Sequence, residues 1–551
     1  MNARKILCLM AAVLMLSGCS KGVDGSQASS KAAESSGKAD SSVSDYDNTT
    51  TEPETDKPEF DLNDSVVGFS QESGFYDSGF SLELTANEGE KIYYTTDGTD
   101  PRTSATREEY TAPIEIKDRS NDPNVVSAVP TEMISGNFNE FSFGEGDFWC
   151  NKKAPSDNAV DKCTVIRASS EKSDGSVSQS FSGSFYIGSA EEHIKGLKES
   201  CEAAGHDLAV MNITMDYADL FDSKIGIYVK GDIFNKALED YKASGESIEN
   251  ETARQLDANY KQRGKEWERD CHIELNEISA EGNVTNALSQ DCGIRIQGNY
   301  SRSDLQKGFR LYARKKYGEK KFNYEVFEGL KNASDETIDS FKTLTLRAGG
   351  NCAFTAKFND TYWQSLMTEL DGSTKASRPC VVYLNGEYWG LYVLEEDYSD
   401  NYFESHYGVN KDDVVVYKGD AETYQSGYKL DEGKLPEGET DEGYFFKELT
   451  DFFASHKDLS AQTDYEEFSK LVDTDSVRDY FLAEVWINNK WDWPGKNWSM
   501  WKVQNTDSSN EYADGKWRFM FYDVEFGGVS GEGDAWTNTM KEDNYKPKGL
   551  L

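Results

Sequence analysis

The clearest periodicity in the chain lies between residues 474 and 489, where apolar side chains recur at the spacing of one helix face. These positions are Val477, Phe481, Leu482, Val485 and Trp486. Asp475 or Ser476 is a suitable N-cap, and Pro494-Gly495 is a strong loop signal. The pattern predicts a buried helix that ends near residues 488–489, followed by a loop.

Two strands are predicted after this loop. The stretches NWSMWKV and KWRFMFYDVEF are rich in aromatic and β-branched residues, and the polar loop QNTDSSNEYADG separates them. Trp517, Phe519, Phe521 and Asp523 alternate along the second stretch, so we expect Asp523 at the inner end of an apolar row. The predicted order is a buried helix, a loop, a hairpin and a strand-terminal aspartate.

Period-two alternation dominates residues 66–188. Apolar and polar residues alternate in SLELTANEGEKIYYTTDGTDP up to turns at Asp97-Gly98 and Asp100-Pro101, and two more alternating runs flank Asp174-Gly175. The pattern is typical of a small immunoglobulin-like β-sandwich. Trp149 or Tyr93 would provide a carbohydrate contact on this module, although aromatic residues are more often buried in the core.

Three further strands are predicted in the middle of the chain, at residues 272–275, 293–297 and 307–314. The turn GNYSR, residues 298–302, lies between the second and third of these strands. Its backbone N–H groups and the Arg302 guanidinium form an arrangement that can hold a phosphate group. Glycine and arginine are also ordinary turn residues, so the turn alone does not define a site.

The first 64 residues have the composition of an export signal and a tether. Arg4 and Lys5 precede a short apolar run that is typical of a signal peptide. The sequence Leu16-Ser17-Gly18-Cys19 resembles the bacterial lipoprotein cleavage motif, which predicts removal of residues 1–18 and lipid attachment at Cys19. Residues 19–64 are rich in Ser, Thr, Asp and Glu, so we expect a disordered linker.

Composition narrows the classes of function. A net charge of −41 argues against nucleic acid and against anionic lipid surfaces as partners, and it suits an extracytoplasmic protein. The five histidines are scattered, and neither they nor the cysteines have the spacing of a zinc site. The sequence also contains no Walker motif and no GxSxG motif.

A series of stretches resembles successive motifs of the CotH (spore coat protein H) kinase family. In order they are YVKG, GKEWER, GIRIQGNYSRSDLQKGFRLYAR, FKTLTLRAGGN, YLNGEYWGLYVLEED, NKWDWPGKNW and WRFMFYDVEFGG, within residues 205–551. The resemblance implies an atypical protein-kinase-like fold and phosphorylation of extracytoplasmic proteins with ATP and Mg²⁺ or Mn²⁺. The stretches YYTTDGTDPRTSAT, YTAPIEI and VIRA resemble the chitobiase/β-hexosaminidase C-terminal-type domain.

The CotH resemblance implies a set of ATP-binding residues. Lys307 matches the lysine that contacts the nucleotide phosphates, and Arg302 lies in the turn before it. Glu396 is the better match to the glutamate that fixes this lysine, and its neighbour Glu395 is the alternative.

The same resemblance implies the catalytic and metal-binding residues. Asp492 corresponds to the carboxylate that orients the acceptor hydroxyl or acts as catalytic base. Asn497 and Asp523 correspond to the ligands of the divalent metal. Glu525 is either an auxiliary acid or, equally, a solvated strand residue.

The predicted architecture is α+β, an atypical protein-kinase-like fold preceded by a small immunoglobulin-like β-sandwich. Its parts are a signal peptide (1–18), a linker (19–64), a chitobiase-type β-sandwich (65–188) and a CotH kinase-like domain (189–551). Few residues follow Asp523 compared with an ordinary kinase C-terminal lobe, so we expect either a truncated or a minimal lobe.

Three functions remain open from the sequence. The preferred one is a lipid-anchored protein kinase on the extracytoplasmic face of the cell membrane, acting on Ser and Thr of secreted or surface proteins. Under this hypothesis the Ser/Thr-rich residues 26–51 are a target of autophosphorylation. The second is a catalytically inactive relative that serves in binding or assembly. The third is a carbohydrate-associated surface protein whose Trp-rich residues 486–501 stack on sugar.

Overall fold

The structure is a computed structural model, and it describes residues 61–134, 154–204, 208–245, 254–279, 284–353, 356–419, 428–456, 459–489, 493 and 497–528. All of these residues belong to one unit of the chain, residues 44–551. None of the helices within the described ranges has both the length and the apolar composition needed to cross a bilayer.

An N-terminal module is built from short strands. They are β1 (Gly68–Phe69), β2 (Gly74–Phe75), β3 (Phe80–Leu82), β4 (Leu84–Thr85), β5 (Lys91–Thr95), β6 (Glu108–Glu109), β7 (Ile114–Ile116), β8 (Cys163–Glu171) and β9 (Phe181–Tyr186). A five-stranded sheet has the order β2-β9-β8-β5-β6, and β1-β4 and β3-β7 form two small sheets. Helix α1 (Thr131–Ile134) follows β7.

One apolar core joins these sheets. Leu82 and Ile116 from the β3-β7 sheet pack in the same cluster as Ile166 and Phe185 from the five-stranded sheet. The alternation in the sequence therefore correctly predicts a two-layer β module, because the apolar side chains of both layers face one another. The immunoglobulin-like topology of this module remains a prediction.

The central element is a closed barrel. Its strands are β10 (Leu208–Thr214), β11 (Arg269–Ile278), β12 (Val284–Gln297), β13 (Gly308–Tyr312), β16 (Thr343–Arg347), β17 (Ser377–Leu384) and β18 (Glu387–Glu395). Around the barrel they have the order β10-β11-β12-β13-β16-β18-β17, and a parallel pairing of β10 with β17 closes it. The three strands predicted in the middle of the chain are confirmed: residues 272–275 and 293–297 lie within β11 and β12, and residues 307–314 include β13.

Helices and one small hairpin accompany the barrel. The hairpin consists of β14 (Phe322–Asn323) and β15 (Ser340–Phe341), and the helices are α2 (Ser189–Ala204), α3 (Tyr217–Phe221), α4 (Gly231–Ala243), α5 (Asn359–Ser365) and α6 (Asp400–Tyr407). The barrel interior is apolar, with residues such as Ile273, Leu311 and Leu394 fully buried.

A second sheet and three helices follow the barrel. The sheet has the order β20-β19-β21-β22. Its strands are β19 (Val414–Lys418), β20 (Lys429–Glu432), β21 (Ser499–Val503) and β22 (Arg518–Met520), and the helices are α7 (Lys447–Ser455), α8 (Gln462–Leu471) and α9 (Thr474–Trp486). The predicted hairpin is confirmed, because β21 pairs antiparallel with β22.

Helix α9 has the predicted bounds but buries a different face. Leu482 and Trp486 are 62% and 55% exposed, so their prediction as buried residues is wrong. The helix packs on β22 through Tyr480, whose ring stacks on Phe519 at 4.2 Å, and this contact sets its rotation. Its N-cap is Asp473, whose carboxylate accepts hydrogen bonds from two backbone N–H groups of the first turn. The predicted caps, Asp475 and Ser476, therefore lie two and three residues too late in the chain.

The β module docks directly on the barrel. Arg102 Nη2 lies 2.6 Å from Asp291 Oδ2, and Arg167 Nη2 lies 3.2 Å from Asp291 Oδ1. Glu387 accepts hydrogen bonds from the backbone N–H groups of Val125 at 2.6 Å and Ser127 at 2.8 Å. Because these groups are buried and paired, the module and the barrel are held by specific polar contacts.

Candidate functional site

A buried arginine connects the barrel with the second sheet. Arg347 is the last residue of β16, and its Nη2 lies 2.8 Å from Asp523 Oδ1 and 2.9 Å from Glu525 Oε2. Its Nη1 lies 3.7 Å from Asp360 Oδ2 on α5. Burial disfavours the charged form, but the three carboxylates outweigh it and raise the pKa of Arg347 well above its usual value.

Asp523 and Glu525 follow the end of β22 and have different surroundings. The Asp523 side chain is 28% exposed, and its backbone φ of 54° lies in the left-handed region. Glu525 is 2% exposed and accepts hydrogen bonds from Asn351 N at 3.1 Å and Asn351 Nδ2 at 2.7 Å. Burial and the nearby Asp523 charge raise the pKa of Glu525 to about 7, against the opposing effect of Arg347.

Gly350 permits this close approach of Glu525. The residue has a φ of 55°, and a Cβ added to it would lie 2.1 Å from Glu525 Oε2. A larger residue would therefore displace the carboxylate from the Asn351 amide, since no L side chain fits this space without strain.

Helix α5 fixes the backbone around Asp523. Asp360 is 3% exposed, and its Oδ1 accepts a hydrogen bond from Val524 N at 2.7 Å. Trp363 Nε1 donates to Gly527 O at 2.8 Å, and Asn359 Nδ2 donates to the same oxygen at 3.1 Å. The segment after β22 is therefore held by side chains of α5 on both sides of Glu525.

A buried lysine–glutamate pair lies beside Arg347. Lys375 Nζ, just before β17, lies 2.8 Å from Glu395 Oε1 at the end of β18. Burial works against both charges. The pKa of Glu395 is raised by burial, whereas the pKa of Lys375 is raised because the Glu395 and Asp360 charges outweigh its burial. Arg347 therefore contacts the carboxylates after β22, and Lys375 and Arg347 share the electrostatic influence of Glu395 and Asp360.

Lys307 does not form the predicted pair with Glu396. The Lys307 side chain is fully buried, and its ammonium donates to the carbonyl oxygens of Ile134 at 2.6 Å, Arg302 at 2.8 Å and Asp304 at 2.6 Å. Burial lowers the pKa of Lys307 well below its usual value. All three ammonium hydrogens are used, so this lysine has a structural environment and not one open to a phosphate.

Glu396 is bonded elsewhere. Its Oε1 lies 2.8 Å from His406 Nε2, and its Oε2 accepts from Ala376 N at 2.9 Å. Successive side chains of a strand point to opposite faces, so Glu395 faces Lys375 while Glu396 faces α6. The predicted Lys307–Glu396 contact is therefore not formed, and the lysine that Glu395 contacts is Lys375.

Arg302 is also buried, in a turn of 3₁₀ helix. Its Nη1 donates to the carbonyl oxygens of Tyr260 and Gln262, each at 3.1 Å, and its Nε donates to Gly298 O. Burial, together with the neighbouring Arg310 charge, lowers the pKa of Arg302 to about 9. The guanidinium binds the protein's own backbone, so the turn does not present it to a phosphate group as predicted.

The structure describes only some of the remaining predicted residues. Asp492, Cys19 and Trp149 lie outside the described residues. Asn497 is half-buried, with a φ of 59°, just before β21. Tyr93 is half-buried beneath the Arg107 guanidinium, which lies 4.2 Å from the ring centre.

A buried acid lies near the end of α9. Glu484 is fully buried, and its Oε2 accepts a hydrogen bond from Asn489 Nδ2 at 2.9 Å. Glu484 Oε1 has no hydrogen-bond partner among the described residues. Burial raises the pKa of Glu484 to about 8, which favours the protonated carboxyl group at neutral pH. Helix periodicity alone did not predict this residue as buried.

Several residues of the site were missed in the sequence, namely Arg347, Asp360 and Lys375. A signal existed for Arg347, because it lies in FKTLTLRAGGN, one of the motifs that carry the family resemblance. Its position at a strand end before two glycines resembles a binding turn. No local pattern distinguishes Lys375 or Asp360 from surface residues, since Glu395 is 20 residues from Lys375 and Val524 is 164 residues from Asp360 in the chain.

Two parts of the chain match models of known protein families. Residues 294–549 match the family model described as CotH kinase protein, and residues 71–129 match the Chitobiase/beta-hexosaminidase C-terminal domain. A search of curated proteins gave no match. Both resemblances predicted from the motifs are therefore confirmed. The CotH match begins within β12, later in the chain than the first motifs assigned to it.

Proposed function

Residues 294–549 match the family model described as CotH kinase protein, and on that match we propose that the chain is an atypical protein kinase. In this proposal it transfers the γ-phosphate of ATP to Ser or Thr of secreted or surface proteins. The observation that carries the proposal is the buried Lys375–Glu395 pair beside the Arg347–Asp523 contact. Protein kinases use such a lysine–glutamate pair on the phosphates and an aspartate after the hairpin on the metal.

We assign the phosphate contact to Lys375 in place of Lys307. Lys375 is anchored by one carboxylate, whereas the Lys307 ammonium is fully used by three carbonyl oxygens. Arg347 would add a second cation for the phosphates if Asp523 were drawn away from it toward a metal. Glu395 and Asp360 would then position these two cations without touching the nucleotide.

Asp523 and Asn497 suit a hard divalent cation such as Mg²⁺ or Mn²⁺. Both supply oxygen ligands, and the Asp523 carboxylate keeps an exposed side besides its bond to Arg347. Within the described ranges, no group of three or more His, Cys, Asp or Glu side chains is arranged to hold a metal. Mg²⁺ in kinases takes one or two carboxylates and completes its shell with phosphates and water. A bound cation would neutralise charge on the transferred phosphoryl group.

Asp492 is the proposed residue that orients the acceptor hydroxyl. The loop that carries it begins after Asn489, whose amide is held by the buried Glu484. Trp493, one residue after Asp492, is 3% exposed, and its ring lies 5.5 Å from that of Phe481 on α9. These contacts anchor the described residues on both sides of Asp492.

The location is part of the same proposal. Cleavage before Cys19 and lipid attachment would place the enzyme on the extracytoplasmic face of the membrane. Mass analysis of the N-terminal peptide from membrane-extracted protein tests this directly. A diacylglyceryl-modified Cys19 is expected, and an intact residue 1–18 segment would contradict it.

A second function is favoured by one contact. Arg347 donates a hydrogen bond to the carboxylate of Asp523, the residue expected to bind metal. The same contact would be found in a kinase-like protein that no longer binds a cation there. Such a protein would act by binding or assembly on the cell surface, with a carbohydrate contact through the β module. It would bind neither ATP nor Mn²⁺.

Phosphorylation by mass spectrometry separates these functions. The purified chain is incubated with ATP and Mn²⁺, alone and with a secreted-protein mixture, and phosphosites are mapped, residues 26–51 included. We expect phosphate incorporation by the wild type and its loss in Asp492→Ala, Asp523→Ala and Lys375→Met. The matched control is Asp412→Ala, a change of an exposed aspartate. Equal incorporation in all variants contradicts the proposed site. No incorporation and no ATP binding by the wild type favours the second function.

A further inference from the structure

The cysteines of the described part of the chain are of two kinds. Three have a thiol that contacts an oxygen atom: Cys163 with Asn212 Oδ1 at 3.5 Å, Cys352 with Glu525 O at 3.3 Å, and Cys380 with Val381 O at 3.7 Å. The other two, Cys271 and Cys292, have sulfur atoms that face each other at 3.5 Å. Only this pair, among the described cysteines, brings two sulfur atoms within contact distance.

The backbone geometry of this pair suits a covalent link. Cys271 on β11 and Cys292 on β12 are directly opposite partners in the antiparallel register. Directly opposite residues have Cα atoms about 4.5–5.5 Å apart, which lies inside the range that disulfides span. The sulfur atoms would have to approach by about 1.5 Å, a movement that side-chain rotation can supply. The two strands need not separate or slip.

We propose that Cys271 and Cys292 form a disulfide in the exported protein. One thiolate attacks the S–S bond of an oxidised dithiol partner, which forms a mixed disulfide and releases one partner thiol. The second cysteine then attacks the mixed disulfide, forms the intrachain bond and releases the other partner thiol. The chain loses two protons and two electrons, and the partner disulfide is reduced to two thiols.

The burial of the pair determines when this exchange takes place. Cys271 is 3% exposed and Cys292 is fully buried, so a partner protein has no access to them in the folded barrel. Burial and the neighbouring Cys271 also raise the pKa of Cys292 well above its usual value, so that little thiolate is present after folding. The bond therefore forms while the chain folds, before β11 and β12 are enclosed.

The position of the bond gives it a structural role. Cys292 is next to Asp291, which receives Arg102 and Arg167 of the β module. A covalent link between β11 and β12 at this point would hold the strand on which the module docks. Loss of the bond would loosen the junction between the module and the barrel without changing any residue of the proposed kinase site.

Differential alkylation of the full chain tests the proposal and does not depend on kinase activity. The protein is unfolded and refolded with a mixture of reduced and oxidised glutathione, denatured, labelled with N-ethylmaleimide with or without prior reduction, and mapped by mass spectrometry. We expect Cys271 and Cys292 to be labelled only after reduction. Cys163, Cys352 and Cys380 serve as internal controls and should be labelled in both samples. Labelling of Cys271 and Cys292 without reduction would overturn the proposal.

A stability measurement provides the second test. The urea midpoint of the refolded wild type should fall when a reductant is added, because the closed loop no longer restricts the unfolded chain. The double variant Cys271→Ala/Cys292→Ala should show no effect of reductant, and the control Cys380→Ala should behave like the wild type. If reductant does not move the wild-type midpoint, the bond is absent. If the double variant fails to fold, the alkylation of the wild type still decides the question.

Discussion

Arg347 Nη2 lies 2.8 Å from Asp523 Oδ1, and this contact joins the last residue of a barrel strand to the residue that follows the hairpin of the second sheet. The same nitrogen lies 2.9 Å from Glu525 Oε2. One guanidinium thus organises two carboxylates that are far from it in the chain, and the proposed phosphotransfer site is arranged around it.

Replacement of Arg347 should destabilise the protein. In Arg347→Ala the buried Glu525 loses its cation, and breaking a buried pair from one side costs about 3 kcal/mol. Glu525 would respond by binding a proton, since burial already raises its pKa to about 7. Urea denaturation measures the loss. The control is Arg478→Ala, which removes a 54% exposed arginine and should leave the stability close to that of the wild type. A loss no larger than that of the control would contradict the role of Arg347.

Lys375 and Lys307 should differ in what their loss affects. Lys375→Met should abolish phosphate incorporation and should also lower the free energy of unfolding by about 3 kcal/mol, because the buried Glu395 loses its cation. Lys307→Met should lower the free energy of unfolding by about 3 kcal/mol, since three buried carbonyl oxygens lose their donor. Circular dichroism and phosphorylation assays on both variants give the two readouts. An active Lys375→Met enzyme with an inactive but fully stable Lys307→Met enzyme would restore the original assignment of Lys307.

The buried Glu484 should make stability depend on pH. Its pKa is about 8 in the folded chain and about 4.3 in the unfolded chain, so the folded state binds the proton more tightly between these values. Stability therefore falls as pH rises from about 4 to about 8, by up to about 1.4 kcal/mol per pH unit. Glu484→Gln should lack this fall and keep the bond from Asn489.

Urea denaturation at about pH 5 and about pH 8 measures this difference. The free energy of unfolding of the wild type, taken relative to that of Glu484→Gln, should be lower at the higher pH. The matched control is Glu466→Gln, a change of an exposed glutamate on α8, which should leave the pH dependence of the wild type unchanged. Parallel pH profiles for wild type and Glu484→Gln would show that Glu484 is ionised throughout.

Gly350 should not tolerate a side chain. In Gly350→Ala the φ of 55° is unfavourable, and the new Cβ meets Glu525 Oε2 at 2.1 Å, so we expect a loss of about 2–4 kcal/mol. Gly438→Ala is the matched control, because its φ is 87° but no atom lies within 4 Å of the added Cβ. That variant should lose only the backbone term, about 1 kcal/mol. Thermal unfolding of both variants separates backbone strain from the steric clash with Glu525. Equal losses of stability in the two variants would exclude a contribution from the clash.

Much of the architecture was determined by the sequence itself. Local patterning located the β module, three of the seven barrel strands and the β21-β22 hairpin, because these patterns depend only on which neighbouring residues share a face. The bounds of α9 and the family resemblance were likewise contained in short stretches. Trp517, Phe519 and Phe521 lie in the apolar core as their alternation predicts.

Only the tertiary structure decided which charged residues meet. Lys307 and Arg302 have the local sequence of phosphate-binding residues, yet the folded barrel encloses both with backbone carbonyl groups. The choice between Glu395 and Glu396 depended on which face of β18 meets Lys375. Arg347 and Asp523 are brought together from separate sheets by the packing of whole layers. The energy of a charge depends on its burial and on partners distant in the chain, and a local sequence pattern contains neither.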